Sequence, residues 1–149
     1  MQSDLDWGAL RAEAHRAVGM AYAPYSGFRV GAAIETSDGS IHGGCNVENA
    51  SFSVTMCAER VALGSAIGAG HRSLSRVYIC SDSPDPVPPC GACRQALAEF
   101  GPDVEIRSEG RTGAVRSWSL SDLLPEQFHL EEHSGAGQDD PVGRREDSP

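Results

Sequence analysis

The stretch Met56-Cys57-Ala58-Glu59-Arg60 takes its meaning from a second one further along the chain, Pro88-Pro89-Cys90-Gly91-Ala92-Cys93. Together they bring three thiols and one carboxylate into the pattern of a zinc site that activates water. Zinc takes thiolate ligands readily, and a catalytic site uses three protein ligands and leaves a fourth position for water. Cys57, Cys90 and Cys93 supply the three metal ligands, one thiol alone and two as a Cys-x-x-Cys pair. Glu59 lies two residues after Cys57, so on a helix it does not share that ligand's direction; it can face the open position and act as general acid and base.

The alternative is a closed site with a fourth ligand, for which Cys45, Cys80 or one of His15, His42, His71, His129 and His133 would have to serve. None of them has a second Cys-x-x-Cys partner. Cys45 and Cys80 read as ordinary buried thiols, which are common in protein cores. Three thiolates on one zinc would leave the site negative and weaken the metal's ability to acidify water. Arg60 could offset this by donating hydrogen bonds to the sulfurs.

Working outward, Ser53 or Thr55 could cap a helix carrying Cys57, Glu59, Val61, Ala62, Leu63, Ala66 and Ile67 up to the Gly68–Gly70 stop. Cys90 to Phe100 resumes helical spacing, so both thiol groups fall at helix starts, where unpaired N–H groups and the helix dipole favour the thiolate. Upstream, Leu5, Leu10, Ala14, Ala17 and Val18 predict an amphipathic helix over Asp4 to Met20, capped by Asp4 or Asp6. Pro24 to Gly27 break it. Phe28–Ile34 and Ile41–Val47 read as antiparallel strands around the turn Ser37-Asp38-Gly39-Ser40. Leu74–Ser81 reads as a strand covered on both faces. The proline-rich Ser83–Pro89 must be a loop. Val104–Ile106 and Ala114–Trp118 are short strands, and Leu120–Leu124 is a short helix ended by Pro125. The order α-β-β-α-β-α-β-β implies a three-layer α/β/α sandwich.

The chain has 149 residues, enough for one domain with a sizeable core. That domain is expected over 1–132. The stretch 133–149 has almost no large apolar residue and is expected to be a disordered polar tail. The formal net charge of −9 repels phosphate backbones and anionic lipid, which argues against nucleic-acid and membrane partners and for a small neutral ligand. No apolar run long enough to span a bilayer is present, and the acidic start from Met1 to Asp6 shows no secretory signal, so a cytoplasmic location is expected. Five cysteines, an odd number, fit reduced thiols rather than a secreted disulfide framework.

Four blocks in order carry a family resemblance: Ala23-Pro24-Tyr25-Ser26-Gly27-Phe28-Arg29-Val30-Gly31-Ala32-Ala33, Gly44-Cys45-Asn46-Val47-Glu48-Asn49-Ala50-Ser51, Cys57-Ala58-Glu59-Arg60, and Pro89-Cys90-Gly91-Ala92-Cys93-Arg94-Gln95. They resemble the small homotetrameric zinc-dependent cytidine deaminases, over about residues 5 to 130. The resemblance implies a mixed five-stranded sheet and one Zn2+ per subunit. It further implies hydrolytic deamination of cytidine and 2′-deoxycytidine to the uridines in pyrimidine salvage, with zinc hydroxide attacking C4 and Glu59 as proton shuttle. It places substrate contacts at Phe28, which packs on the base, at Asn46 and Glu48, which hold the ribose 3′-hydroxyl, and at the backbone of Ala58, which meets the pyrimidine edge. Phe128 would reach a neighbouring subunit's site, so sites lie at subunit interfaces of a homotetramer. Read without the resemblance, Phe28 and Phe128 are core residues and Glu48 is a solvated loop residue.

Two departures stand out. Phe52 replaces the tyrosine the family often has after Asn-Ala-Ser, which removes a hydroxyl near the ribose or subunit contact, and Ser53-Val54 replaces a small-then-aliphatic pair. Three other functions compete. A blasticidin-type deaminase shares the zinc signature, but Asn46-Val47-Glu48 fits plain ribose recognition better. A nucleic-acid editing deaminase needs a basic channel and usually histidine in place of Cys57. A structural zinc module needs no Glu59.

Overall fold

The side-chain alternation of two strands decides where each helix packs. Along β1 (Val30–Thr36), Ala32 and Ile34 point to one side of the sheet and Ala33 to the other; along β3 (Leu74–Ser81), Val77 and Ile79 oppose Tyr78 and Cys80. Helix α1 (Gly8–Val18) covers the second side with Leu10 and Ala14, joined by Trp7. The first side is covered by α2 (Ala58–Gly68) through Ala58, Ala62 and Leu63, and by α3 (Gly91–Ala98) through Leu97 and Ala98. In the computed structural model, which describes residues 6–131, the result is a three-layer α/β/α sandwich. The expected tail over 133–149 lies outside the described residues.

The sheet has five strands in the order β2-β1-β3-β4-β5, with β2 (Ile41–Cys45), β4 (Glu105–Glu109) and β5 (Val115–Ser119) completing it. Strands β3 and β4 run parallel, with Val77 opposite Ile106, and the other neighbours are antiparallel, so the sheet is mixed. The β1–β2 hairpin turns at Gly39, whose φ of 86° is open to glycine without strain. Ile34, Ile79, Leu97, Ile106 and Leu120 are fully buried. Each stabilises the fold by about 1.5–3 kcal/mol of apolar burial.

Two glycines set how closely the layers approach. A Cβ on Gly31 would strike the backbone of α1 at Ala14 and Val18, and one on Gly44 would strike α2 at Ala58 and Ala62. Gly44 thus seats the first turn of α2, which carries the motif, directly on β2.

Several boundaries differ from the sequence expectations. Helix α1 begins at Gly8 with Trp7 in the cap position and no side-chain cap. Asp6 instead pairs with Arg76 at 2.6 Å, while Asp4 and Leu5 lie outside the described residues. Burial of the Trp7 ring against Tyr78 and under Arg107 fixes the helix entry. Strand β1 starts at Val30 rather than Phe28, because Phe28 is held by side chains and not by a strand ladder. Neither Ser53 nor Thr55 caps α2; Cys57 takes that position, preceded by a 3-10 turn over Phe52–Val54. Leu120–Leu123 forms the short helix α4, capped by the Ser119 hydroxyl, which accepts from the Asp122 N–H.

Candidate metal centre and cavity

After β2 the chain does not leave the structure. Val47 bridges to Tyr22 on one side and to Met56 on the other, with both Val47–Met56 backbone hydrogen bonds at 2.9 Å. This short ladder carries Asn46 beside the start of β1 and delivers Met56 and Cys57 to the first turn of α2. Cys57 has extended backbone and no side-chain cap bond, so its sulfur is free to point away from the helix. Cys90 caps α3, its sulfur accepting from the Cys93 N–H at 3.5 Å. The Arg94 guanidinium donates to the Pro89 and Leu123 carbonyls at 2.8 and 3.0 Å and pins that turn.

The three sulfurs of Cys57, Cys90 and Cys93 lie within 4.8 Å of one another. The Cys57–Cys90 separation of 3.8 Å is far beyond a disulfide bond. It equals the spacing of two thiolates on one tetrahedral zinc, about 3.8 Å for bonds of about 2.3 Å. Among the described residues no histidine, carboxylate or further cysteine joins the cluster. The donor set therefore fits zinc with a position left for water. Arg60 donates to the Cys57 sulfur at 3.7 Å and to the Thr55 carbonyl at 3.2 Å; its Nε is buried with no hydrogen-bond partner among the described residues. A half-buried cation beside the sulfurs offsets their negative charge.

Electrostatics follow from this crowding. The Cys57 thiol is drawn down to about 5, first by the hydrogen bond it accepts from Cys93 and then by Arg60, against burial. The same bond, with burial, pushes Cys93 up. Glu59 is 6% exposed, and burial raises its carboxyl above the ordinary range, with the nearby Cys57 charge adding to the shift. A carboxyl raised in this way can hold a proton and release it.

These groups form one wall of a cavity of about 270 Å³. Of the residues singled out by sequence, Phe28, Asn46, Cys57, Ala58, Glu59 and Cys90 line it. Cys93 lies behind, fully buried. Asn46 donates to the Phe28 carbonyl at 2.8 Å and accepts from the Val30 N–H at 2.9 Å. Glu48 is outside the lining; its carboxylate accepts from the Tyr25 and Ser26 N–H groups at 3.0 and 3.1 Å and from the Ser26 hydroxyl at 2.5 Å. Phe128 is also outside, 67% exposed, its carbonyl accepting from Gln95. Val30, Thr55, Met56, Val87 and Pro88 complete the lining without having been assigned to the site from sequence, although Val87 is the one apolar side chain between the prolines of that loop. Cys80 is apart from the cluster, donating to the Ala14 carbonyl, its thiol pushed up to about 11 by burial.

Two of the three clustered thiols and a buried carboxyl line one wall of a small cavity, with the third thiol behind, an arrangement that fits a metal-dependent hydrolase. Residues 8–106 match the family of the cytidine and deoxycytidylate deaminase zinc-binding region. A cytidine deaminase of Halalkalibacterium halodurans is 43% identical over 129 residues, 86% of this chain and 98% of the relative. The crystal structure of a cytidine deaminase from Burkholderia pseudomallei superimposes with a TM-score of 0.77 at 47% identity, covering 80% of this chain and 97% of that one. The corresponding values for a cytidine deaminase from Mycobacterium tuberculosis are 0.72, 38%, 85% and 100%. The chain belongs to the cytidine deaminase family, and it is a deaminase of the hydrolase class. No described helix is long and apolar enough to cross a membrane.

Proposed function

We propose that the protein hydrolyses cytidine and 2′-deoxycytidine to uridine and 2′-deoxyuridine, releasing ammonia, as a cytoplasmic step of pyrimidine salvage. The observation that carries this is the convergence of Cys57, Cys90 and Glu59 on one cavity wall, with Cys93 behind. One zinc per subunit would be held by Cys57, Cys90 and Cys93; when bound it supplies a Lewis acid that makes water acidic enough to attack near neutral pH.

The protein's own groups do the rest. Glu59 accepts a proton from the attacking water and delivers it to ring N3, then takes the proton of the new C4 hydroxyl and passes it to the 4-amino group, which leaves as ammonia. Its burial raises the carboxyl toward the range where both transfers are easy. The backbone N–H of Ala58 is in the first turn of α2, where helix N–H groups lack intrahelical acceptors, so it is free to meet the pyrimidine edge. Phe28 packs on the base, and Asn46 and Glu48 hold the ribose 3′-hydroxyl. Arg60 steadies the Cys57 thiolate.

Neither lysine nor arginine lines the cavity, which suits an uncharged nucleoside better than a nucleotide or a nucleic-acid strand. Tyr22, Tyr25, Phe52 and Val54 are exposed, as is Met56 in the cavity lining, and Phe128 is exposed near α3. Apolar surface of this kind supports a homotetramer in which Phe128 reaches a neighbouring subunit's site. Ammonia release measured with cytidine, 2′-deoxycytidine, blasticidin S and single-stranded DNA tests the assignment. Turnover of the two nucleosides alone is the expected result. A strong preference for blasticidin S, or activity only on the strand, would refute it.

A further inference from the structure

Phe28 sits at the cavity mouth, 39% exposed, directly after Gly27. Gly27 has φ of 68°, and a Cβ built there would meet nothing within 4 Å. The left-handed φ suits glycine, and the Gly27 N–H donates to the Ala23 carbonyl at 3.0 Å, but with no side chain at 27 nothing at that position aims the ring that follows. Hydrogen bonds fix Phe28 instead. Its N–H donates to the Ser26 hydroxyl oxygen at 3.0 Å, and its carbonyl accepts from the Asn46 amide at 2.8 Å. The Ser26 hydroxyl in turn donates to Glu48 at 2.5 Å, and that carboxylate also holds the Tyr25 and Ser26 N–H groups. Glu48 is only 8% exposed, so the anchor at the far end of this relay is buried.

We propose that Ser26 is a positioning residue: its hydroxyl, oriented by Glu48, sets the backbone of Phe28 and so aims the ring that covers the substrate base. A single oxygen does both jobs, donating to the carboxylate and accepting from the Phe28 N–H. Alanine at 26 would cut the relay, whereas threonine keeps the hydroxyl. The effect falls on binding rather than on the chemical step, because Ser26 touches none of the reacting groups.

The inference rests on the proposed packing of Phe28 against the base, and the test separates the two. Ser26→Ala, Ser26→Thr, Phe28→Ala and the Ser26→Ala/Phe28→Ala double variant are assayed for kcat and KM with cytidine and with 3′-deoxycytidine. Ser26→Ala is expected to raise KM about five- to tenfold, the worth of one hydrogen bond, with kcat within about twofold. Ser26→Thr should restore KM. The double variant should be no worse than Phe28→Ala, since residues acting as one unit are not additive. The penalty should persist with 3′-deoxycytidine. Full additivity of Ser26→Ala and Phe28→Ala, or loss of the penalty on 3′-deoxycytidine, would show that the hydroxyl acts on the ribose through Glu48, and the proposal falls. A normal KM in Phe28→Ala refutes the base-packing reading itself. A raised KM in Phe28→Ala with silent Ser26→Ala refutes the relay alone.

Discussion

Removing the Glu109 carboxylate should destabilise the protein in a pH-dependent way. Glu109, at the end of β4, has a side chain only 7% exposed, and it ties α1 to the sheet. It accepts from Arg11 at 2.8 and 2.7 Å, lies 2.9 Å from His15 Nε2, and accepts from the Tyr78 hydroxyl at 2.8 Å. Burial on its own would raise this carboxyl, but Arg11, His15 and Tyr78 outweigh it and hold it at about 2, against 4.5 for a free glutamate. A shift of that size corresponds to about 3 kcal/mol at about 1.4 kcal/mol per pH unit. Arg11 and His15 are half exposed, however, at 52% and 44%. Solvent screening therefore reduces the expectation to about 1–2 kcal/mol. Because the folded-state value lies below the unfolded one, this stability is present in full above about pH 5 and is lost as the pH falls through about 2. Urea unfolding of the wild type and Glu109→Gln, compared between pH 7 and pH 3, isolates it, since acid effects on the thiols are common to both. The gap should hold above about pH 5 and narrow below it. A gap that is constant with pH, or that widens toward pH 3, would refute the reasoning.

Gly44→Ala puts a methyl group into the α2 backbone at Ala62 and Ala58. It should cost about 1–3 kcal/mol in thermal unfolding, and because the first turn of α2 is displaced, bound metal should fall as well. Arg60→Ala removes the donor to the Cys57 sulfur and should weaken zinc retention or turnover about 10- to 100-fold, read by competition with a chromophoric chelator. Ile79→Ala opens a cavity at the centre of the sheet and should cost about 2–5 kcal/mol while leaving metal content unchanged.

What the sequence revealed depended on whether neighbours or distant partners shape each residue. Leu74–Ser81 was legible to the residue because a central strand is written in its own apolar run and ended by the prolines that follow. The α1 start was not, since the decisive event is the burial of Trp7 against Tyr78, a partner far along the chain. A hydroxyl cap is the expectation for α2 because serine and threonine are the usual caps. Here cysteine takes that position, and its sulfur turns to the cluster instead of the helix. The clustering of Cys57, Cys90 and Cys93 beside Glu59 was readable because it follows from their types and spacing. The hydrogen bonds of Asn46 and Glu48 to the loop bearing Phe28 were not, since nothing local announces their acceptors and donors. Nor was the Glu109 network, whose members come from α1, β3 and β4.

The central claim is that Glu59 moves protons at a zinc centre it does not itself ligate. The most direct test is zinc content and loss of the cytidine absorbance, measured on the same samples of wild type and Glu59→Gln. The account predicts about one zinc per chain in both proteins, rapid loss of cytidine in the wild type, and turnover reduced by about 10²–10⁴-fold or more in the variant. Zinc lost with the glutamate, or turnover that survives its replacement, would contradict it.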